Sequence, residues 1–508
     1  MTRSQRCLST LLLILCSSHA AMAQQASFHY TVAMPHPDSH HFLVTLDCKG
    51  LPGTITDLKM PGWMPGYYQL LDYARNVSAF KATATGGKPL GWEHTGANTW
   101  RVAHTPGQSL HITYEVTAAT AFVAQPWLDS THAYLSPAGV FLYAAGYIRM
   151  PVTVSILPAP GWKDVATGLE PVPGSAHTFR APDFDVLFDS PILAGNLESA
   201  PSFKVNGVPH YFTGYRMGQF NKQQLSDDLQ KLITVATGII GDIPYQHYTF
   251  LAIGPGRGGI EHLNSSTISF TGEGLETPGG RHQLLSFISH EYFHHYNVKR
   301  IRPIALGPFD YDRENRTNML WVSEGLTVYY EYMMMKRAGL MDATALLKDF
   351  SGNIAAYETQ PGHLYQSLAQ ASWETWSDGP FGRKGDTVNK TISYYEKGPA
   401  VGLLLDMAIR HATQNKRSLD DVMRLLYRKF YQQAQRGFTD DEFRQACEST
   451  AGVALPEIFD YVYTVKEPDY AKYLAYGGLG IEAGTFKVYP LEKVDALQLA
   501  IRKRWLGE

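Results

Sequence analysis

The stretch "SHEYFHHYNVKRIRP" runs from Ser289 to Pro303 and contains His290-Glu291-x-x-His294. On an α-helix, positions four apart lie one above the other, so His290 and His294 can face one ion. Glu291 sits about 100° round the helix, beside that site rather than on it. A catalytic zinc needs this arrangement: neutral imidazoles as ligands, an open position for water, and a carboxylate base nearby. Taken alone, the pattern also fits an amphipathic helix with partly exposed histidines.

Downstream, "LWVSEGLTVYYEY" (Leu320–Tyr332) supplies a candidate third ligand. Leu320, Trp321, Val322, Leu326 and Val328 mark it as a second helix with an apolar face. A carboxylate in such a context is costly to bury unless it is paired or bound to metal. Glu324 therefore completes a two-His-plus-Glu set for one Zn2+ per chain. Glu331, two turns further on, has two readings. It orients a ligand from behind, or it is a solvated glutamate, the simpler expectation.

Outward from these motifs, the 508 residues exceed one ordinary domain. A net charge of -3 gives no reason to expect a nucleic-acid partner or a polybasic membrane anchor. Arg3 and Arg6, the apolar run to Cys16 (densest at Leu11–Leu15) and Ala21-Met22-Ala23 read as a signal peptide cut after Ala23. The run is too short to span a bilayer. Lipid attachment at Cys16 is disfavoured by the bulky Leu15. The expectation is an exported protein, periplasmic or secreted, with no stable membrane insertion. Cys48 and Cys447 remain; an oxidising compartment permits a disulfide, and two buried free thiols are an equal reading.

Residues 24–200 carry short β-branched and aromatic runs, His40–Cys48, Ser109–Val116 and Met150–Leu157, separated by Pro and Gly turns. That pattern predicts an antiparallel β-sandwich-like domain. From 201 to 470 the periodicity changes. Lys222–Gly241 reads as a helix and His247–Gly254 as a strand. Arg281–Arg300, Leu320–Gly339 and Gly398–Gln414 read as helices. This is a mainly helical α+β domain, with 471–508 as a short appendage.

"HEYFHHYNVKRIRP" (His290–Pro303), "LWVSEGLTVYYE" (Leu320–Glu331), "MPGWMPGYYQLLDYARNVSAF" (Met60–Phe80) and "QSLAQASWETW" (Gln366–Trp376) resemble the glycyl aminopeptidase family of gluzincin metallopeptidases. The resemblance covers most of the chain and implies a thermolysin-like catalytic domain behind the β-domain. "GRGGIEHLNSS" (Gly256–Ser266), read alone, has glycines that mark a turn or a close approach, and it lacks the Gly-Lys-Ser/Thr of a phosphate loop. By resemblance it takes the place of a Gly-x-Met-Glu-Asn motif. Gly258 and Gly259 would then lie along the substrate backbone, with Glu261 pairing with its free α-ammonium. One anion near the metal makes an exopeptidase; otherwise Glu261 is a loop carboxylate. His262 stands where relatives have Asn.

"ISYYEKGPAVGLLL" (Ile392–Leu404) resembles the segment whose tyrosine donates to the tetrahedral oxyanion, and Tyr395 is the matching residue. In a chain with 30 tyrosines, a half-buried core role for Tyr395 stands beside that reading, and Tyr394 is its immediate rival. Tyr296 replaces a common Trp. "YLAYGGLGIE" (Tyr473–Glu482) and "VDALQLAIRKRWLG" (Val494–Gly507) resemble the two ends of a PDZ-like domain with little between them. Residues 471–508 are thus expected to be its remnant.

The resemblance implies a zinc aminopeptidase acting on peptides with a free N-terminus, Gly or Ala preferred. Glu291 would be base and then proton donor to the leaving amine. The rivals are a zinc endopeptidase using the same site, a hydrolase of a non-peptide substrate, and a non-catalytic peptide-binding protein with structural zinc. Asn297, Arg300 and Arg302 either brace the site or bind substrate, with structural ion pairing the plainest expectation.

Overall fold

Along Ser27–Ala33, His41–Lys49 and Leu110–Thr117 every second side chain is buried, the period of a strand with one face on a core. The computed structural model, which describes residues 26–381 and 389–508, places these strands in a seven-stranded sheet. Its order is Glu170–Pro171, Thr178–Ala181, Val152–Leu157, Ser27–Ala33, His41–Lys49, Leu110–Thr117, Val77–Ala84. A four-stranded sheet built on Ile55–Lys59 and Thr99–Ala103 adds Leu58, Trp100 and Val102 to the same core. A third sheet, of four short strands, includes His132–Leu135 and Ile192–Gly195. One pair departs from the antiparallel expectation. Ser27–Ala33 runs parallel to Val152–Leu157, because the chain rejoins the first sheet only after crossing the other two. The predicted signal peptide, 1–23, lies outside the described residues.

The second domain starts with a mixed sheet. Val208–Gly214, Tyr248–Ala252 and Ser265–Ile268 are parallel, and Gly259–Glu261 pairs antiparallel at the edge. Helix α1 (Lys222–Ile240), capped by Asn221 and stopped at Gly241, buries Leu225, Leu229, Leu232, Ile233 and Ala236 in the same core as that sheet. Next come α2 (Pro278–Phe293), α3 (Leu326–Arg337), α4 (Ala343–Glu358) and α5 (Tyr394–Ala412). α2 ends seven residues earlier than the Arg281–Arg300 pattern predicts. The reason is polar. Arg300 turns its guanidinium onto the carbonyls of Leu263, His295 and Pro244, and Asn297 donates to Val322 O and Ser323 O. These bonds hold the chain in turns.

The C-terminal stretch is not an appendage. Helix α6 (Ala496–Leu506) buries Ile501 and Trp505 completely in the helical core, and Trp505 Nε1 donates to Tyr329 OH at 3.1 Å. The two domains also exchange side chains. Trp63 and Tyr68 enter the helical core, while Ile260 and Tyr311 enter the β core. Cys48 and Cys447 are buried and free, one in each core. Among the described residues, no helix is long and apolar enough to cross a membrane.

Candidate metal centre and substrate cleft

α2 starts at Pro278 behind the Thr277 cap and carries His290 and Glu291 in its last turn; His294 is the residue that closes it. Glu324 sits in a π-helical turn, Trp321–Gly325, that leads into α3. Such widened turns recur at functional sites because they re-aim one side chain. His290 Nε2 and His294 Nε2 lie 2.9 Å apart, and Glu324 Oε2 lies 3.6 and 3.1 Å from them. All three residues are buried.

The opposite imidazole nitrogens are occupied. His294 Nδ1 bonds Asn297 O at 2.8 Å, and His290 Nδ1 lies 3.2 Å from Glu331 Oε2. Both Nε2 atoms are thereby left facing Glu324. Glu331 is thus not the solvated residue the sequence favoured. It also accepts from Ser286 Oγ and orients His290 from behind. Asn297 braces the cluster, donating to Val322 O, Ser323 O and Thr327 Oγ1. The side-chain bonds of Arg300 run to carbonyls and the Tyr431 hydroxyl, and Arg302 stacks over Phe309; neither makes the expected ion pair among the described residues.

The donor set fits zinc: two imidazole nitrogens and one carboxylate oxygen within 4.8 Å of one another. Burial works to raise the Glu324 carboxyl, yet His294 and His290 beside it hold it well below its ordinary range. The Glu291 carboxyl is pushed up to about 7 by burial, with the two histidines pulling it down and Glu261 and Glu324 adding to the rise. Its Oε2 is buried without a hydrogen-bond partner among the described residues.

A cavity of ≈ 610 Å³ opens on this cluster, lined by His290, Glu291, Tyr395, Tyr68, Gly258 and Gly259 among others. The backbone comes close at Gly259: a Cβ there would stand 2.8 Å from Glu291 Cδ and Phe287 Cζ and would push on both side chains. Side chains alternate along a strand, so Glu261 points to the same side as position 259. Glu261 is 4% exposed and its Oε1 has no hydrogen-bond partner among the described residues; Lys299 Nζ is 3.8 Å away. Gly66 of the β-domain packs against it, and a Cβ there would meet both Glu261 Oε atoms at 3.0 Å. His262 is wholly buried and engages Asp189 at 3.2 Å, away from the cleft.

Tyr395 and Tyr394 separate cleanly. Tyr395 OH donates to Glu324 Oε2 at 3.0 Å and lines the cleft, whereas Tyr394 OH pairs with Thr375 Oγ1 inside the core. Sequence reasoning missed Tyr68, whose hydroxyl donates to Glu324 Oε1 at 3.1 Å. Burial, then the Glu324 charge, raises both phenols and keeps them protonated donors.

The Peptidase M61 N-terminal domain profile matches residues 29–196, and the M61 glycyl aminopeptidase profile matches residues 283–401. The chain belongs to the M61 glycyl aminopeptidase family and is a zinc metallopeptidase of the aminopeptidase type. An aminopeptidase N family protein from Idiomarina loihiensis superposes with TM-score 0.83 at 26% identity, covering 90% of this chain and 79% of that one. An M1 zinc metallopeptidase from Deinococcus radiodurans shares the fold at TM-score 0.55 and 15% identity, over 88% of this chain and 94% of that one. A mutant of the Deinococcus enzyme, solved with a Tyr-Ser-Ala substrate, gives 0.53 at 16%, with the same coverage. No curated protein matches the chain.

Proposed function

We propose that this chain is an exported aminopeptidase that releases Gly or Ala from peptides with a free N-terminus, using one zinc ion. The observation that carries the reading is Glu261. It is a buried carboxylate whose Oε1 has no hydrogen-bond partner among the described residues and only a long contact to Lys299 at 3.8 Å, on the edge strand whose Gly259 presses against Glu291. A free α-ammonium satisfies that oxygen; an acylated nitrogen leaves it bare.

His290, His294 and Glu324 hold the metal. When bound, zinc supplies Lewis acidity and lowers the pKa of water. Glu291 Oε takes a proton from the attacking water and returns it to the leaving amine. Tyr395, a neutral phenol at the cleft, turns its O–H from Glu324 to the oxyanion as charge develops there. The edge strand aligns the substrate backbone, and close packing at Gly259 keeps the scissile carbonyl within reach of Glu291.

The test is release of the first residue from Gly-, Ala-, Leu- and Lys-terminated amides, beside an N-acetyl-Gly substrate, with and without a zinc chelator. Cleavage confined to free Gly and Ala substrates and abolished by chelator is expected. Equal cleavage of the acetylated substrate would replace this reading with an endopeptidase.

A further inference from the structure

A second cavity, of ≈ 680 Å³, adjoins the catalytic cleft and shares Phe122, Val123 and Arg257 with it. Its position follows from the edge strand. A substrate strand paired antiparallel with Gly259–Glu261, its amine at Glu261, advances past Gly259 and Gly258 toward Arg257. At about 3.3 Å per residue, Arg257 stands at most roughly 13 Å from the amine, opposite the fourth or fifth substrate residue. A longer peptide then enters the second cavity.

The walls of that cavity define what it takes. Phe122, Trp127 and Ile253 give it an apolar side. Its one carboxylate, Asp129, already accepts at Oδ1 from Thr131 N, Thr131 Oγ1 and His132 N. His132 lies flat on Tyr215, ring centroids 3.9 Å apart. Arg216 rests its guanidinium 5.1 Å over the other wall, the Tyr215 ring. Arg216 and Arg257 are both exposed, and neither pairs with a carboxylate among the described residues. Two unpaired cations beside an apolar trough, on the path of the emerging chain, call for an anion carried by a peptide.

We propose that this cavity is a downstream subsite, which holds an apolar stretch of the substrate and binds its carboxylate with Arg216 and Arg257. The carboxylate comes from an acidic side chain or from the C-terminus of a short peptide. The assignment rests on the aminopeptidase reading, since the amine at Glu261 sets the direction of the chain.

The experiment compares three peptides: Ala-Gly-Gly-Leu amide, the same sequence with a free C-terminal carboxylate, and Ala-Gly-Gly-Glu amide. KM is measured at low and high salt for the wild type, Arg216→Gln, Arg257→Gln and the double variant. Binding to Glu291→Gln is read by calorimetry, so a preference is visible even without turnover. At least one anionic peptide should show a lower KM than the neutral one. The margin should shrink by roughly threefold with one arginine lost, vanish with both, and fall with salt. The free-acid peptide alone winning identifies the chain terminus; the Glu amide alone winning identifies the side chain. Equal KM and equal binding across the three peptides, or a preference that survives the double variant, overturns the proposal. Failure to cleave any of them, with anionic peptides still bound preferentially through the arginines, would sink the aminopeptidase reading and leave the subsite standing.

Discussion

The metal cluster and the amine-binding end share a wall yet are assembled in different ways. His290, His294 and Glu324 come from two consecutive helical segments of one domain, and their supports, Glu331 and Asn297, lie on the same stretches. Glu261 is placed by three separated segments besides its own, drawn from both domains. Gly66 packs on it, Asp189 clasps His262 and Leu263 N just behind it, and Lys299 bridges Asp189 at 2.8 Å to Glu261 at 3.8 Å. On the proposed reading, the metal ligands are assembled within one domain, with the Tyr68 hydroxyl reaching Glu324 from the other, while the preference for a free amine depends on how the domains meet. Changes at the metal end should therefore remove turnover outright, and changes at the amine end should redistribute it among substrates.

The largest effect belongs to Glu291→Gln. The side chain keeps its shape, and none of the three ligands is touched. Turnover should fall by at least about 10³ while metal content, read by atomic absorption, stays at one per chain. Retained activity in the metal-loaded variant would remove Glu291 from the base role.

Tyr395→Phe and Tyr68→Phe come next and divide the two hydroxyls on Glu324. Loss of a donor to the oxyanion costs roughly 10² in kcat, the expectation for Tyr395. Loss of a hydroxyl that only supports a ligand costs roughly tenfold in metal affinity, the expectation for Tyr68. If both variants lose affinity and keep kcat, Tyr395 is a support as well.

That pair also marks how far the sequence could be read. The His-Glu-x-x-His spacing, Glu324 and Tyr395 were visible because each sits in a short motif whose helical period says which way it faces. Tyr68 was invisible, since it is 256 residues from the carboxylate it serves and only the docking of the domains joins them. Glu331 was misjudged for a related reason: its burial depends on α2 lying across α3, which one helix's periodicity does not report. The C-terminal stretch was misread as an appendage because Trp505 has its partners, such as Tyr329, on helices far upstream.

Asp189→Asn should sharpen the contrast. In the wild type Asp189 draws Lys299 and His262 to itself. With that charge gone, Lys299 has Glu261 as its nearest carboxylate and should neutralise the amine anchor. KM for free-amine substrates should rise about tenfold with kcat changed far less, and discrimination against acetylated substrates should weaken. An equal fall of kcat on every substrate would instead indicate general loosening of the site.

The smallest effect concerns stability rather than turnover, and it comes from a third buried charge near the cleft. The metal cluster buries the Glu324 charge with partners, and α5 does the same with the Asp406–Arg410 pair, 2.9 Å apart and reinforced by Tyr329 OH. Lys397, on the same helix two residues after Tyr395, is fully buried, and its Nζ has no hydrogen-bond partner among the described residues; it lies 4.8 Å over the Tyr357 ring. Burial drives its pKa down to about 8, with Glu358 pulling weakly the other way. The folded value lies below the unfolded value of about 10.4, so between these the unfolded chain binds more protons. Stability contributed at this position therefore rises as pH climbs from about 8 to about 10.4 and is lowest below pH 8. Lys397→Met keeps the length of the chain and removes the buried charge. It should raise the thermal midpoint at pH 7 by a few degrees, the scale of about 1–3 kcal/mol, with the gain shrinking above pH 9. A lower midpoint at pH 7 would mean that the ammonium is held by the Tyr357 face more strongly than burial opposes it.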